Sequence, residues 1–235
     1  MFTKVYETRY GDYKDFNNIK VSSLLDIAQD IAVRHSEHCG YGMQKLREMN
    51  LAWLVQGIKL HIEKMPEIDC DITAKTAIKN MKATLSERGC ILSQNCQTVA
   101  KIVTNWFLFD TQRMRPTRIL PEIADSYSCY NFDDDFFNYE KPSLYEAEGL
   151  YKIRVSNKEI DTNCHLNNQK GAELLMDVLP FDFQFTDMNI LYKKASYLGD
   201  ELELCLKRIE NGYYAHLQTE DNMICVAGTF QNNKP

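Results

Sequence analysis

One short segment of this 235-residue chain gathers ionisable and amide side chains at a spacing that suggests chemistry: Asp161-Thr162-Asn163-Cys164-His165-Leu166-Asn167-Asn168. Carboxylate, carboxamide and imidazole at i, i+2 and i+4 can supply a base or nucleophile, a donor that orients a water or a carbonyl, and a proton shuttle. The segment leads into a stretch with helical periodicity. Unpaired backbone N–H groups and the positive end of a helix dipole would therefore lie close by, favouring an anion or a developing oxyanion. Each residue also has a plainer role, since Asp161 and Asn163 suit turns and caps and His165 suits packing at a helix start. Only their combination argues for a site. Cys164 would become a nucleophile if the helix start and His165 lowered its pKa, but sequence neighbours usually point apart.

Other constellations carry less. His35, His38 and Cys39 invite a metal reading, yet no matching pair of ligands lies nearby and zinc uses three or four, so the two histidines read as a surface helix terminus. Asp133-Asp134-Asp135 reads as a solvated acidic run. Eight cysteines without a Cys-x-x-Cys pair, in a chain large enough to need no staples, read as reduced thiols. A net charge of −6 argues against a nucleic-acid binder, which needs a surplus of Lys and Arg. No apolar run approaches the roughly 20 residues of a membrane span. The start, Met1-Phe2-Thr3-Lys4, reaches charge too early for a signal peptide, so a cytoplasmic protein is expected.

The elements that must position the segment occur twice. A strand from Phe2 to Tyr10 leads through a polar loop to a helix with the apolar stripe Val21, Leu24, Leu25, Ala28, Ile31 and Ala32. A short helix over Met43–Met49 follows. Strands are expected over Leu51–Glu63, Asp71–Ile78, around Cys90–Gln97 and over Val99–Asp110, with a turn at Arg88-Gly89. Residues from about Pro121 to Tyr145, crowded with Asp, Asn, Tyr and Phe, look like a linker. The pattern then restarts with a strand (Leu150–Val155), a polar loop (Ser156–His165), and a helix whose Leu174, Leu175, Val178 and Leu179 precede a terminating Pro180. More strands follow, with Asn211-Gly212 as a type I′ hairpin signal and Met223–Phe230 as the last strand.

Setting Asp12 opposite Glu159 gives an offset of 147, which also places Leu25 on Ala172, Ile27 on Leu174 and Ala28 on Leu175. Setting Asp69 opposite Gly199 gives 130, so the first copy carries 147 − 130 = 17 extra residues after its helix, accounted for by the short helix near Met43. Strand, loop, long helix and antiparallel meander, used twice, describe an α+β tandem (double) hotdog in which each sheet wraps a central helix. The expected organisation is a hotdog over residues 1–125, a linker over 126–148 and a second hotdog over 149–235 that carries the candidate loop.

The run Asp161-x-Asn163-x-His165-Leu166-Asn167-Asn168, with Glu173 and Asp177 in the helix, resembles the catalytic-loop signature of bacterial-type acyl-acyl-carrier-protein (acyl-ACP) thioesterases. Leu51-Ala52-Trp53-Leu54, Ile62-Glu63, and Asn105-Trp106-Phe107-Leu108-Phe109-Asp110 with Arg115-Pro116-Thr117-Arg118-Ile119 are similar to landmarks of that family, so the resemblance covers nearly the whole chain. It implies a double-hotdog hydrolase that cleaves fatty acyl-ACP, releases free fatty acid and ends chain elongation, with no metal or organic cofactor. It implies Asn163 and His165 as the catalytic pair and Asp161 as their partner carboxylate. Lys14, Phe16 and Asn18 stand at the corresponding places of the first copy, which would then be scaffold and wall of the acyl pocket. The acidic acyl carrier protein would need basic residues, with Lys193, Lys194, Arg113, Arg115 and Arg118 as candidates; a homodimer is left open.

Two positions depart from the family pattern. Where a glutamate is usual in a Tyr-x-Lys/Arg-Glu segment, this chain reads Tyr192-Lys193-Lys194-Ala195-Ser196. Loss of a general base there would cost on the order of 10²- to 10⁴-fold, unless Asp161 and His165 suffice and Ser196 positions a water. Cys164 stands where glycine is common. The alternatives are therefore an acyl-CoA thioesterase, or a non-catalytic acyl or acyl-ACP binding protein.

Overall fold

The computed structural model describes residues 1–161 and 164–233. The chain divides into two units, Met1–Gln56 with His61–Tyr139, and Gly57–Leu60 with Glu140–Pro235. In the first, β1 (Phe2–Tyr6), α1 (Val21–His38), α2 (Met43–Glu48), β2 (Leu51–Ile62, of which Gly57–Leu60 counts with the second unit), β3 (Ile72–Lys82), β4 (Leu85–Gln94), β5 (Gln97–Asp110), β6 (Arg115–Pro116) and α3 (Pro121–Ser126) follow in turn. The strands lie in the order β1-β3-β4-β5-β2, antiparallel from β1 through β5, with β6 added to β5. Leu24, Leu25, Ala28, Ile31 and Ala32 are buried along α1, which packs on β3. The period of 3.6 has placed them on one face.

The second unit holds β7 (Glu148–Arg154), α4 (Asn168–Met176), β8 (Asp187–Tyr192), β9 (Glu201–Ile209), β10 (Gly212–Gln218) and β11 (Ile224–Gln231). Its order is β8-β11-β10-β9-β7, antiparallel throughout. Here α4 lies on β10 and β11, burying Gly171, Ala172 and Leu175. Gly171 permits the close approach, because a Cβ there would come within 3.2 Å of Val226 Cγ2. Each unit contributes a run of antiparallel strands that carries its own helix, the repeated element of an α+β double hotdog. No described helix is long and apolar enough to cross a membrane.

The internal repeat is written into the backbone. Tyr10–Asp12 and Asn157–Glu159 both form 3-10 turns, and the isolated bridges Tyr13↔Ile19 and Ile160↔Leu166 close both loops; all four positions differ by 147. Lys20 N–H donates to the Asp12 carbonyl at 2.8 Å as Asn167 N–H does to that of Glu159, also at 2.8 Å. At the offset of 130, Asp69 (φ 57°) and Gly199 (φ 88°) both turn through the left-handed region before β3 and β9.

Several expectations need correction. Arg88 and Gly89 form no turn but lie inside β4, where Phe132 fills the space above Gly89; a Cβ would meet its ring at 2.5 Å. The two-residue loop before β10 is Glu210-Asn211, with Asn211 alone at positive φ (58°), so the hairpin is not type I′. The first strand stops at Tyr6, and α4 stops at Met176, leaving Val178 and Leu179 beyond it. Residues before a proline disfavour the helical region, and Leu179 N–H closes a turn on the Met176 carbonyl instead.

The segment after Pro121 carries ordered structure of its own. Pro121 opens α3, which buries Ile123, and Phe132 and Phe137 pack against Ala77 and Val103. Asp134 does not simply face solvent: it pairs with Lys101 at 2.8 Å and accepts the Phe136 N–H at 2.9 Å. His35 is the last correction, because it is buried rather than at the surface.

Candidate active site

The candidate loop is held at both ends. At its start, Glu159 Oε2 accepts both the N–H (2.6 Å) and the hydroxyl (2.8 Å) of Ser156, a capping box around the 3-10 turn. Burial would raise the Glu159 pKa, but these hydrogen bonds outweigh it and hold the carboxyl below its ordinary range. At the far end, Leu166 N–H donates to the Ser196 carbonyl at 2.8 Å. The segment following β8 thus pins the loop against its own sheet.

Between these anchors the chain folds back sharply. Asp161 N–H donates to the His165 carbonyl at 2.8 Å, and Cys164 N–H to the Asp161 carbonyl at 3.1 Å. The Asp161 carboxylate accepts the His165 N–H at 3.2 Å. Cys164 lies at φ 62°, in the left-handed region that L-residues enter at a cost, and its thiol is exposed. The physical reason for glycine at this place is that conformation. His165 is half-buried, and the Tyr197 ring meets its imidazole edge to face, with centroids 5.0 Å apart.

Asn167 caps α4. Its Oδ1 accepts the N–H groups of Gln169 (2.8 Å) and Lys170 (3.3 Å), and its carbonyl accepts that of Gly171. The expectation that several helix-start N–H groups are open to a substrate oxygen is thereby narrowed to Asn168, whose N–H has no acceptor among the described residues. Tyr192 fixes that residue by donating its hydroxyl to the Asn168 carbonyl at 2.7 Å.

The structure thus brings together Asp161, Cys164 and His165 in one loop and sets Ser196 beside it. Asn163 lies outside the described residues. Ser196 is buried, and Ala195 next to it is exposed. Glu173 pairs with Lys170 at 2.6 Å, while Asp177 is the C-cap of α4. Burial first, and the neighbouring Glu173 second, raise the Asp177 pKa. Lys193 and Lys194 have exposed side chains. No group of three His, Cys, Asp or Glu among the described residues is arranged to hold a metal ion.

Sequence reasoning assigned no supporting role to three residues: Tyr197, Tyr192 and Asn167. The capping role of Asn167 was available from its type and its place before a periodic stretch. The two tyrosines gave no local signal, since each acts on a residue more than 20 positions away.

Residues 1–127 match the family model of the acyl-ACP thioesterase N-terminal domain, and residues 142–232 that of its C-terminal domain. No curated protein matches the chain. Among solved structures, an acyl-ACP thioesterase from Bacteroides thetaiotaomicron is 17% identical, with a TM-score of 0.87 over 98% of this chain and 96% of the other. A 12:0-ACP thioesterase from Umbellularia californica is 12% identical, with a TM-score of 0.85 over the same shares of the two chains. Structural similarity at such low identity shows the shared fold and extends to bacterial and plant proteins alike. Both halves of the signature, in order and covering almost the entire sequence, place this chain in the acyl-ACP thioesterase family.

Proposed function

We propose that Asp161, Asn163 and His165 carry out the family's reaction here, hydrolysis of fatty acyl-ACP to free fatty acid and carrier protein. The observation that supports these roles is the loop closure that joins Asp161 to His165 at the start of α4. His165 takes a proton from water as its oxygen attacks the thioester carbonyl carbon. The C–S bond of the tetrahedral intermediate then breaks, and the imidazolium returns the proton to the leaving thiolate. With one oxygen committed to the His165 N–H, Asp161 is better suited to hold the loop and balance the imidazolium than to attack carbon itself. The Asn168 N–H and the dipole of α4 favour charge on the carbonyl oxygen, with Asn163 as a further donor.

Residues 1–125 act in this reading as the copy without chemistry, residues 126–148 as the connection and residues 149–235 as the copy with it. In the first copy the Asp15 carboxylate accepts the Asn17 N–H and Asn18 Nδ2, an Asx-type closure that holds no imidazole. Exposed Lys193 and Lys194, close in sequence to Ser196, suit an acidic carrier protein, and the cytoplasm is the expected place of action.

The test is release of free fatty acid by the purified protein from one acyl chain presented on ACP and on CoA, with and without His165→Ala. Faster release from ACP, lost in His165→Ala, supports the proposal. Binding of acyl-ACP without release above background, indifferent to His165→Ala, would overturn it in favour of a binding protein. Ala195→Glu should raise turnover if the absent carboxylate limits the rate.

A further inference from the structure

Arg88 is the one Lys, Arg, Asp or Glu among the residues buried in the described structure, with 5% of its surface exposed. It sits in β4, facing α1 of the first unit. Its Nη1 donates to His35 Nδ1 at 2.8 Å and to Thr76 Oγ1 at 3.4 Å, and its guanidinium lies 5.9 Å from the centre of the Tyr127 ring. All three partners are neutral. Burial pushes the Cys90 thiol up to about 12 and raises that of Cys39, so neither nearby sulfur is a thiolate counter-ion. The other charges acting on this corner are His38 and the amino group of Met1, and both are of the cationic kind.

A guanidinium taken from water without a counter-ion is one of the least favourable burials a fold can make, and a methionine would fill the same volume without that penalty. The fork has five donors in a plane, and both protein hydrogen bonds come from Nη1. Nε and Nη2 take part in neither bond. They form the side-on edge that meets a carboxylate with two parallel N–H···O bonds. Around this polar point the neighbourhood is apolar: Tyr127 belongs to a cluster with Leu46, Leu51, Ile78, Leu108 and Ile123. Phe2 stacks on His35 with ring centres 5.4 Å apart and lies 5.4 Å from the ring of exposed His38.

We infer that Arg88, seated by His35 and Thr76, is a carboxylate-binding subsite in the unit that lacks the catalytic loop, and that its ligand is the carboxylate of an alkyl-chain acid. The naming of that ligand rests on the hydrolase reading, because the reaction makes such an acid. The same chemistry has two sources: free fatty acid returning as a feedback ligand, or the far end of an acyl chain that carries a second carboxyl group.

Calorimetric titration of the intact protein with dodecanoate and with 1-dodecanol tests the head-group requirement. Dodecanoate should bind at least roughly tenfold tighter than the alcohol, the scale of a charge-assisted hydrogen-bond pair. Arg88→Met should abolish that difference without lowering Tm, whereas a merely structural arginine would lower Tm when replaced. Arg88→Lys keeps the charge without the fork and should retain only part of the preference, which preserves the test if Arg88→Met does not fold. Faster hydrolysis of dodecanedioyl-ACP than of dodecanoyl-ACP, with the advantage lost in Arg88→Lys or Arg88→Met, would assign the second source. Equal dodecanoate affinity in wild type and both variants, with no change in the two-substrate ratio, would overturn the inference. Failure of the wild type to hydrolyse dodecanoyl-ACP would count against the hydrolase reading alone, since dodecanoate binding is measured without turnover.

Discussion

Asp161 and His165 hold each other through the backbone: the carbonyl of His165 accepts the Asp161 N–H at 2.8 Å, and the Asp161 carboxylate accepts the His165 N–H at 3.2 Å. The carboxylate therefore has a structural task in addition to any chemical one, and the two can be separated. Asparagine keeps an acceptor oxygen for the His165 N–H but loses the charge; alanine loses both. Asp161→Asn should fold with nearly unchanged Tm and lose kcat/KM by on the order of 10²- to 10⁴-fold, the range for an acid–base group. Asp161→Ala should show a similar rate loss together with about 1 kcal/mol of destabilisation from the missing hydrogen bond. Unchanged turnover in Asp161→Asn would remove the carboxylate from the mechanism.

Cys164 offers a test with the opposite sign. Its φ of 62° is strained for a side chain and free of strain for glycine. Cys164→Gly should stabilise the protein by roughly 0.5–1 kcal/mol, the αL penalty less the added backbone entropy of glycine in the unfolded chain. Hydrolysis should persist, since the exposed thiol has no step to perform. Loss of activity in a variant with raised Tm would make Cys164 the nucleophile.

Asn167 links the loop to the helix, so its loss should register in both stability and rate. Asn167→Ala leaves the N–H groups of Gln169 and Lys170 without their acceptor and should cost about 1 kcal/mol, within the usual N-cap range. Because it orients the loop and the start of α4, kcat should fall more than KM rises. Asn167→Asp, which can accept the same two N–H groups, should restore Tm in a thermal melt.

The repeat was legible because its evidence is local and periodic. Turn residues such as Asp12 and Glu159 recur at one spacing, and the helical stripes recur with them. The loop from Asp161 to His165 was legible for the same reason: residue types with chemical potential stand close together in sequence. What stayed hidden is long-range. Gly89 looks like a turn residue until Phe132, 43 positions later, is seen to occupy the place of its side chain. His35 looks like an exposed helix end until Arg88 arrives from β4 to donate to it. Local propensity carries no record of such partners, which is why Asp134, a residue of an acidic run, turned out to hold Lys101.

His35 makes the last prediction, one of pH. Burial first, then the positive charges of Arg88 on β4, His38 on α1 and the Met1 amino group, lower its pKa from the ordinary 6.5 to about 4. The flanking Phe2 and Tyr127 rings and the Thr76 hydroxyl bring no compensating negative charge. In the unfolded chain His35 takes up a proton below about pH 6.5, whereas in the folded protein it stays neutral until about pH 4. Between those values the unfolded state binds more protons, so stability falls as pH falls; above them the contribution is fully present. From pH 7 to pH 4.5 this one group should remove roughly 2–3 kcal/mol. His35→Asn leaves an acceptor for Arg88 Nη1 and abolishes the titration. Urea unfolding at the two pH values should therefore show a difference smaller by about that amount in the variant, with carboxylate titrations common to both proteins cancelling. An identical pH dependence in both would mean that His35 protonates without penalty, and that Arg88 accommodates a second cation beside it.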